Sequence, residues 1–380
     1  MKIEPGGPIP VYLPYLGAEV HAAVDDALDE GWLGLGPLTA RFEQEISSYL
    51  ELSGRYTVST NSCTGALHLA SLVAGVGPGD EVICPSFTYV AGHQAVSATG
   101  ADIVFCDIEQ ETLGVDPASV RSLVTDRTKA VMAVHYAGIA CRIDEINELA
   151  AEHGLRVIED AAHAFGTRHR GRPIGSFGDL TCFSFGPVKV ITSLEGGAVI
   201  TPHETDVQRL HELRLIGVTD DTDARYKRGR TWDYDVVRQG YRYHLGSVPA
   251  AIGLSQLAMI DTFISNRQRY CRIYDESFQD LRDVTTFDTD FTDVSPYIYV
   301  IRVPDGDART KLMEHMRGLG VASGIHFEGA HNYTFYRDCR RSDLSVTERI
   351  SEQVVTLPLH PFMDESTTDR VVASVRSFFE

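Results

Sequence analysis

The sequence lacks any apolar run approaching the roughly 20 residues that a membrane span needs, so no membrane helix is expected. It also lacks a C-x-x-C pair: the seven cysteines (Cys63, Cys84, Cys106, Cys141, Cys182, Cys271, Cys339) are odd in number, scattered and mostly set in apolar runs. They read as reduced structural thiols rather than a disulfide frame. Cys63 and His68 stand without a second Cys/His pair, so no metal site is expected. No G-x-G-x-x-G opens a helix after a strand, and Gly31, Gly34 and Gly36 fall before the sheet pattern begins, which argues against a nicotinamide dehydrogenase. Basic residues are scarce: 34 Lys+Arg against 53 Asp+Glu give a formal net charge of -19, which repels phosphate backbones and anionic lipid. No nucleic acid or membrane partner is expected. The start, Met1-Lys2-Ile3-Glu4-Pro5-Gly6-Gly7, has no apolar signal core, and the chain reads as cytoplasmic.

What is present is enough apolar material, 43% of 380 residues, for more than one average core. From about Tyr56 to Thr201, short apolar runs alternate with helical stretches, the pattern of an α/β fold. Strands are predicted over Glu81–Pro85, Asp102–Cys106, Lys129–His135, Leu155–Glu159, Leu180–Phe185 and Gly197–Thr201. Most are too apolar for a solvent-facing edge and imply a sheet covered on both faces. Helices are predicted over Gly65–Ala74, Thr88–Thr99 and Ile143–His153, the last with Ile143, Ile146, Leu149 and Ala150 on one face. From Pro249 to Leu281 the pattern predicts one long helical region, with Ile252, Leu254, Leu257, Ile260 and Ile264 at helical spacing. A strand at Tyr297–Val303, a helix at Ala308–Leu319 stopped by Gly320 and a final helix at Asp364–Phe379 complete a smaller α+β unit. The expected division is a large domain over 1–248 and a small one over 249–380.

The chemistry concentrates in Glu159-Asp160-Ala161-Ala162-His163, then Phe183-Ser184-Phe185-Gly186-Pro187-Val188-Lys189 and Glu195-Gly196-Gly197-Ala198. In open α/β sheets functional residues gather at the carboxyl ends of strands. An acid, a hydroxyl and a lysine there suggest a cofactor with a cationic ring nitrogen, a phosphate and an aldehyde. Each residue alone has an ordinary reading: a solvated loop lysine, or an aspartate that caps a helix. Upstream, Thr60-Asn61-Ser62-Cys63-Thr64-Gly65 opens a helix directly after a strand and offers free N–H groups to an anion, and Pro85-Ser86-Phe87-Thr88-Tyr89 ends another strand with an aromatic ring.

In this order the motifs resemble the pyridoxal-phosphate-dependent nucleotide-sugar aminotransferases, fold type I of the aspartate aminotransferase superfamily. The resemblance runs from about Gly34 to Leu359 and takes in Val134-His135-Tyr136-Ala137-Gly138, Gly240-Tyr241-Arg242-Tyr243-His244 and Ala250-Ala251-Ile252-Gly253. It implies a large three-layer domain with a mostly parallel central sheet and a smaller C-terminal α+β domain. It also implies pyridoxal 5'-phosphate (PLP) bound to Lys189 as a Schiff base, with pyridoxamine phosphate (PMP) as the amino form. Asp160 would pair with the ring nitrogen, Tyr89 stack on the ring, and His163 lie near the ring hydroxyl. Cys63, Thr64 and Ser184 would hold the phosphate, and Arg242 would reach across a homodimer to the neighbouring phosphate in active sites shared between subunits. Many members carry Asn where this chain has Arg242.

The activity so implied moves an amino group from an amino acid, glutamate being favoured, to a nucleotide-linked keto sugar. Val134 to Cys141 is most similar to members acting at a 4-keto carbon, which favours a dTDP-4-keto-6-deoxyhexose over a 3-keto sugar or a ketocyclitol. Gly324-Ile325-His326-Phe327 to Phe335-Tyr336 resembles the sugar-facing loop, with His331 at the usual substrate-binding histidine. Dehydratase members lack the lysine, and a PLP-binding sensor without turnover would be favoured by loss of the lysine or the acid. Lys189 and Asp160 are both present.

Overall fold

The computed structural model describes residues 6–219, 229, 232 and 234–380. Two helices, α1 (Ala18–Glu30) and α2 (Pro37–Tyr49), precede the sheet. The alternation then runs β1 (Tyr56–Thr60), α3 (Cys63–Val73), β2 (Glu81–Pro85), α4 (Val90–Ser97), β3 (Asp102–Cys106), α5 (Pro117–Leu123), β4 (Thr128–Val134), α6 (Ile143–His153) and β5 (Arg156–Asp160). A short hairpin, β6 (Arg168–His169) with β7 (Arg172–Pro173), leads to β8 (Leu180–Ser184), β9 (Gly197–Thr201) and α7 (Glu204–Arg214).

The central sheet has seven strands in the order β1-β9-β8-β5-β4-β2-β3. Pairings from β3 through β2, β4 and β5 to β8 are parallel, and β9 alone runs antiparallel to its neighbours. Side chains alternate between faces along each strand. Val82, Ile103, Met132 and Ile158 thus join α3, α4 and α7 in one core, while Ile83, Val104, Val131 and Val157 join α5 and α6 in another. Every residue of β2, β8 and β9 is buried, as expected of a sheet covered on both faces. The helix α6 has its predicted bounds and buries its predicted stripe, and Gly154 ends it in a left-handed turn at φ +66° with its N–H on the last carbonyls.

Several boundaries shift in ways that matter for the site. Strand β5 extends one residue beyond the predicted end, so Asp160 is its last residue. Helix α3 begins at Cys63, which puts Cys63 and Thr64 in its first turn, and α4 begins after Tyr89.

The predicted single helix from Pro249 to Leu281 is instead two, α8 (Ser247–Leu257) and α9 (Ile260–Phe278), bent by 59° at their junction. The two stripes serve different partners. Helix α8 packs on α1 and α2, where a side chain on Gly253 would meet the Phe42 ring at 2.6 Å, while α9 buries Tyr270, Tyr274 and Phe278 and packs on the final helix Glu365–Phe379. A period of 3.6 carries across such a bend unchanged, so sequence spacing cannot register it. Among the described residues no single helix is long and apolar enough to cross a membrane.

Beyond α9, β10 (Tyr299–Arg302) pairs antiparallel with β11 (Val354–Leu357), flanked by helices Gly306–Gly318 and Ser345–Gln353. Asp305 and Asp364 cap the first and last of the three C-terminal helices by accepting from Ala308 and Thr367 N–H. Residues 9–15 lie along this unit: Ile9 N–H donates to Gly320, Leu359 N–H donates to Val11, and Tyr15 O accepts from Gln256 on α8.

Candidate active site

Parallel pairing brings the ends of β4, β5 and β8 to one edge, with Val134 beside Asp160 and Asp160 beside Cys182. Because Asp160 falls two residues after Ile158, it projects to the face occupied by α3 and α4. A cleft of about 370 Å³ opens there, lined among others by Cys63, Thr64, Tyr89, Asp160, Ser184 and Lys189. His163 lines it as well.

Asp160 is buried, and its Oδ1 accepts from Ala162 N–H at 3.1 Å. Burial pushes its carboxyl above the usual range, against the pull of that N–H and of the Lys189 charge. Gly92 on α4 permits the close approach: a side chain there would meet Met132 Sδ at 2.8 Å. Glu159, one residue earlier, faces the other way and is fully buried. Burial alone would raise its carboxyl, but hydrogen bonds from His135 Nε2, Thr181 Oγ1 and Gly178 N–H hold it below the usual range. Its acceptors are committed, so it is a structural acid and no substitute for Asp160.

Lys189 lies in the loop after β8, half-buried, with its N–H on Gly186 O and its Nζ 4.0 Å from the centre of the Tyr297 ring. Facing it, the Ser62 hydroxyl caps α3 by accepting from Gly65 N–H, and the first-turn N–H groups of Cys63 and Thr64 have no intrahelical acceptor. Gly197 on β9 lets this helix end seat against the sheet, since a side chain there would meet Cys63 N at 2.7 Å. The helix end and the Ser184 hydroxyl form an anion cradle at the same edge.

His163 Nδ1 accepts from Ala137 N–H, which leaves the ring proton on Nε2. Burial, with the Lys189 charge added, holds its pKa well below the ordinary histidine value, so the ring is a neutral donor. Tyr89 is 60% exposed, its ring 5.9 Å from that of Phe327.

Arg242, expected to act across a dimer, and His331, expected to face the substrate, do not line this cleft. Arg242 is exposed and lines a separate cavity of about 280 Å³ with Leu35, Leu215, Ile216 and His244. His331 is buried behind the cleft wall, its Nδ1 2.7 Å from Ser86 Oγ and its Nε2 3.7 Å from Glu348. The histidine of this loop that lines the cleft is His326, held by Tyr12 Oη at 2.7 Å and Thr356 Oγ1 at 2.9 Å. Burial and the Lys189 charge push it down to about 4. Sequence reasoning placed His326 in the right loop without singling it out, and it missed Tyr297, which has no local motif.

The donor set fits one cofactor: a helix end and a hydroxyl for a phosphate, a carboxylate for a protonated ring nitrogen, and an amine for an aldehyde, all facing one cleft. Fold and site together define a fold type I, PLP-dependent aminotransferase. The model of the DegT/DnrJ/EryC1/StrS aminotransferase family matches residues 14–376, and the chain belongs to that family. The spore coat polysaccharide biosynthesis protein SpsC of Bacillus subtilis (strain 168) is 34% identical over 376 residues, covering 97% of this chain and 96% of its own. Among solved structures, the aminotransferase TlmJ from Streptoalloteichus hindustanus matches with a TM-score of 0.91 at 30% identity, covering 98% of this chain and 99% of its own. DesV of S. venezuelae, solved in complex with a ketimine intermediate, matches with a TM-score of 0.88 at 32% identity, over 98% of this chain and 99% of its own. The protein is thus a sugar aminotransferase that uses PLP and cycles through PMP.

Proposed function

We propose that this enzyme transfers the amino group of L-glutamate to the keto carbon of a dTDP-4-keto-6-deoxyhexose, with Lys189 and Asp160 as its catalytic pair. The observation that carries the catalytic assignment is the convergence of the Lys189 amine, the Asp160 carboxylate and the α3 helix end on one cleft. Bound there, PLP supplies an aldehyde that carries the amino group and an electron sink for the carbanion at the amino carbon. Lys189 Nζ would hold the cofactor covalently and, when free, would carry the proton between the reacting carbons. Asp160 keeps the ring nitrogen protonated by giving the cation a buried counter-charge. The first-turn N–H groups of Cys63 and Thr64, with Ser184, would bind the phosphate, and His163 Nε2–H would donate to the ring hydroxyl. Tyr89 and Phe327 wall the cleft and exclude water.

The 4-keto preference rests on the Val134 to Cys141 stretch, which forms the end of β4 and the turn after it. Incubation with glutamate and a panel of 3-keto and 4-keto nucleotide sugars and ketocyclitols, read by mass and NMR, tests substrate and regiochemistry together. Amination only of a 3-keto sugar or of a ketocyclitol would overturn the substrate assignment and leave the aminotransferase intact.

The same reading makes the active unit a homodimer with shared sites. Its support is an apolar exposed patch in which Leu33, Ile216, Val236 and Val237 lie on adjoining segments beside Arg242. From there, Arg242 would reach the cofactor phosphate of the partner subunit, where a guanidinium can make bidentate contacts. Arg242→Ala should raise the cofactor Kd by about tenfold, the size of one charge-assisted contact, and leave the chain folded. Mixed with Lys189→Ala, it should recover activity, because one site of the hybrid joins an intact lysine to an intact arginine. A fully active monomer in sedimentation, or no recovery after verified subunit exchange, would count against this arrangement.

A further inference from the structure

Tyr297 belongs to the small unit but lines the cleft, and it is held more firmly than a wall residue requires. Its N–H donates to Ala137 O at 3.3 Å, and its O accepts from Nη1 of the buried Arg267 at 3.0 Å. Its ring has two ring neighbours, parallel to Tyr12 at 5.7 Å with 8° between planes, and tilted against His163 at 4.3 Å. The side chain is only 4% exposed. Against this fixed ring sits the Lys189 amine, 4.0 Å from its centre, and among the described residues no side-chain hydrogen bond or ion pair engages that amine.

We propose that the Tyr297 ring face is the seat of the released Lys189 amine, holding it within reach of the cleft while the amino group resides on the cofactor. The inference rests on the assignment of Lys189 as the lysine that bonds the cofactor. A transaminase lysine must leave its bond, serve as acid and base, and return. A free ammonium on a four-carbon stem costs rotamer entropy to hold in one place, and a carboxylate seat would trap it in a salt bridge and oppose its return as a neutral nucleophile. An aromatic face attracts the ammonium through the ring quadrupole without accepting its proton. It therefore restrains the amine without a salt bridge to break on its return. The clamp by Tyr12, His163 and Arg267 fixes the seat in advance, so little ordering remains when the lysine arrives. Tyr297 is accordingly a positioning residue, acting through Lys189.

The test compares wild type with Tyr297→Phe, which keeps the ring face, and Tyr297→Leu, which removes it. In full-length protein loaded with PMP, acylation of Lys189 by acetic anhydride is followed by mass spectrometry against the exposed Lys129 as internal reference. The Leu variant should acylate Lys189 about tenfold faster relative to Lys129, in keeping with a partly desolvated cation–π contact, while the Phe variant stays within about twofold. In single-turnover return with an α-keto acid, the Leu variant should be slower by about the same factor with an unchanged half-saturation concentration, and Phe should restore most of the rate. Should Tyr297→Leu not fold, trifluorophenylalanine at position 297 keeps the shape and weakens the quadrupole, and must reproduce the Leu effects relative to Phe. Equal acylation ratios in all variants, or a Phe variant as impaired as Leu, would overturn the proposal. Borohydride reduction of the PLP form with peptide mapping reports separately whether Lys189 carries the cofactor. If another lysine does, that assignment fails whatever the acylation ratios show.

Discussion

Lys189→Ala should yield a folded protein that still binds cofactor but has lost multiple-turnover transamination, by at least about 10³-fold from the loss of the general base alone. The fold should survive because the amine is half-buried and its contact is a ring face, so truncation orphans no buried polar partner. The α3 helix end and Ser184, to which we assign the phosphate, are untouched, which should keep cofactor binding measurable. Circular dichroism, cofactor titration and steady-state assay on one preparation separate these claims. Full steady-state activity in this variant would remove Lys189 from the chemistry.

Asp160→Asn comes next in expected effect. The amide is isosteric and its Oδ1 still accepts from Ala162 N–H, so the fold is kept and the charge alone is lost. Breaking a buried ion pair by removing one partner costs about 3 kcal/mol or more, which corresponds to roughly 150-fold in rate or affinity. Both the cofactor Kd and the rate of proton abstraction should suffer, and Asp160→Ala should be at least as damaging. A pH dependence accompanies this. Burial raises the Asp160 carboxyl above its usual value, so on acidification it protonates early and the counter-charge disappears. Cofactor affinity of the wild type should therefore fall as pH drops through that raised range, and the Asn variant should lack this component. Unchanged rates and affinity in Asp160→Asn would place the ring's counter-charge elsewhere. Glu159 is not available for it, being turned to the opposite face with both oxygens engaged.

The contrast between those two neighbouring acids shows how far a sequence reaches. The apolar run that predicts a strand ending at Glu159 put Asp160 just past it, and spacing along β5 sends the two to opposite faces. Which face holds the cleft follows only from the sheet order, because α3 and α4 lie on one side and α5 and α6 on the other. The antiparallel course of β9 and the N-terminal helices α1 and α2 were likewise not predicted. Strand direction is set by pairing, and α1 buries little more than Val20 and Ala27.

What the sequence by itself determined was the alternating architecture and the extent of α6, and it named as candidates Thr64, Asp160, Ser184 and Lys189, which line one cleft. Each of these is signalled by its own immediate neighbours in the chain. Tertiary structure decided the rest. It bent the predicted 249–281 helix at α8 and α9, set His326 rather than His331 on the cleft wall, and brought Tyr297 under the Lys189 amine and Tyr12 onto His326. Tyr12 and His326 are 314 residues apart. Contacts over such separations leave no periodic or spacing trace, because each partner's own neighbourhood is satisfied by ordinary packing and only closure of the whole chain makes them adjacent.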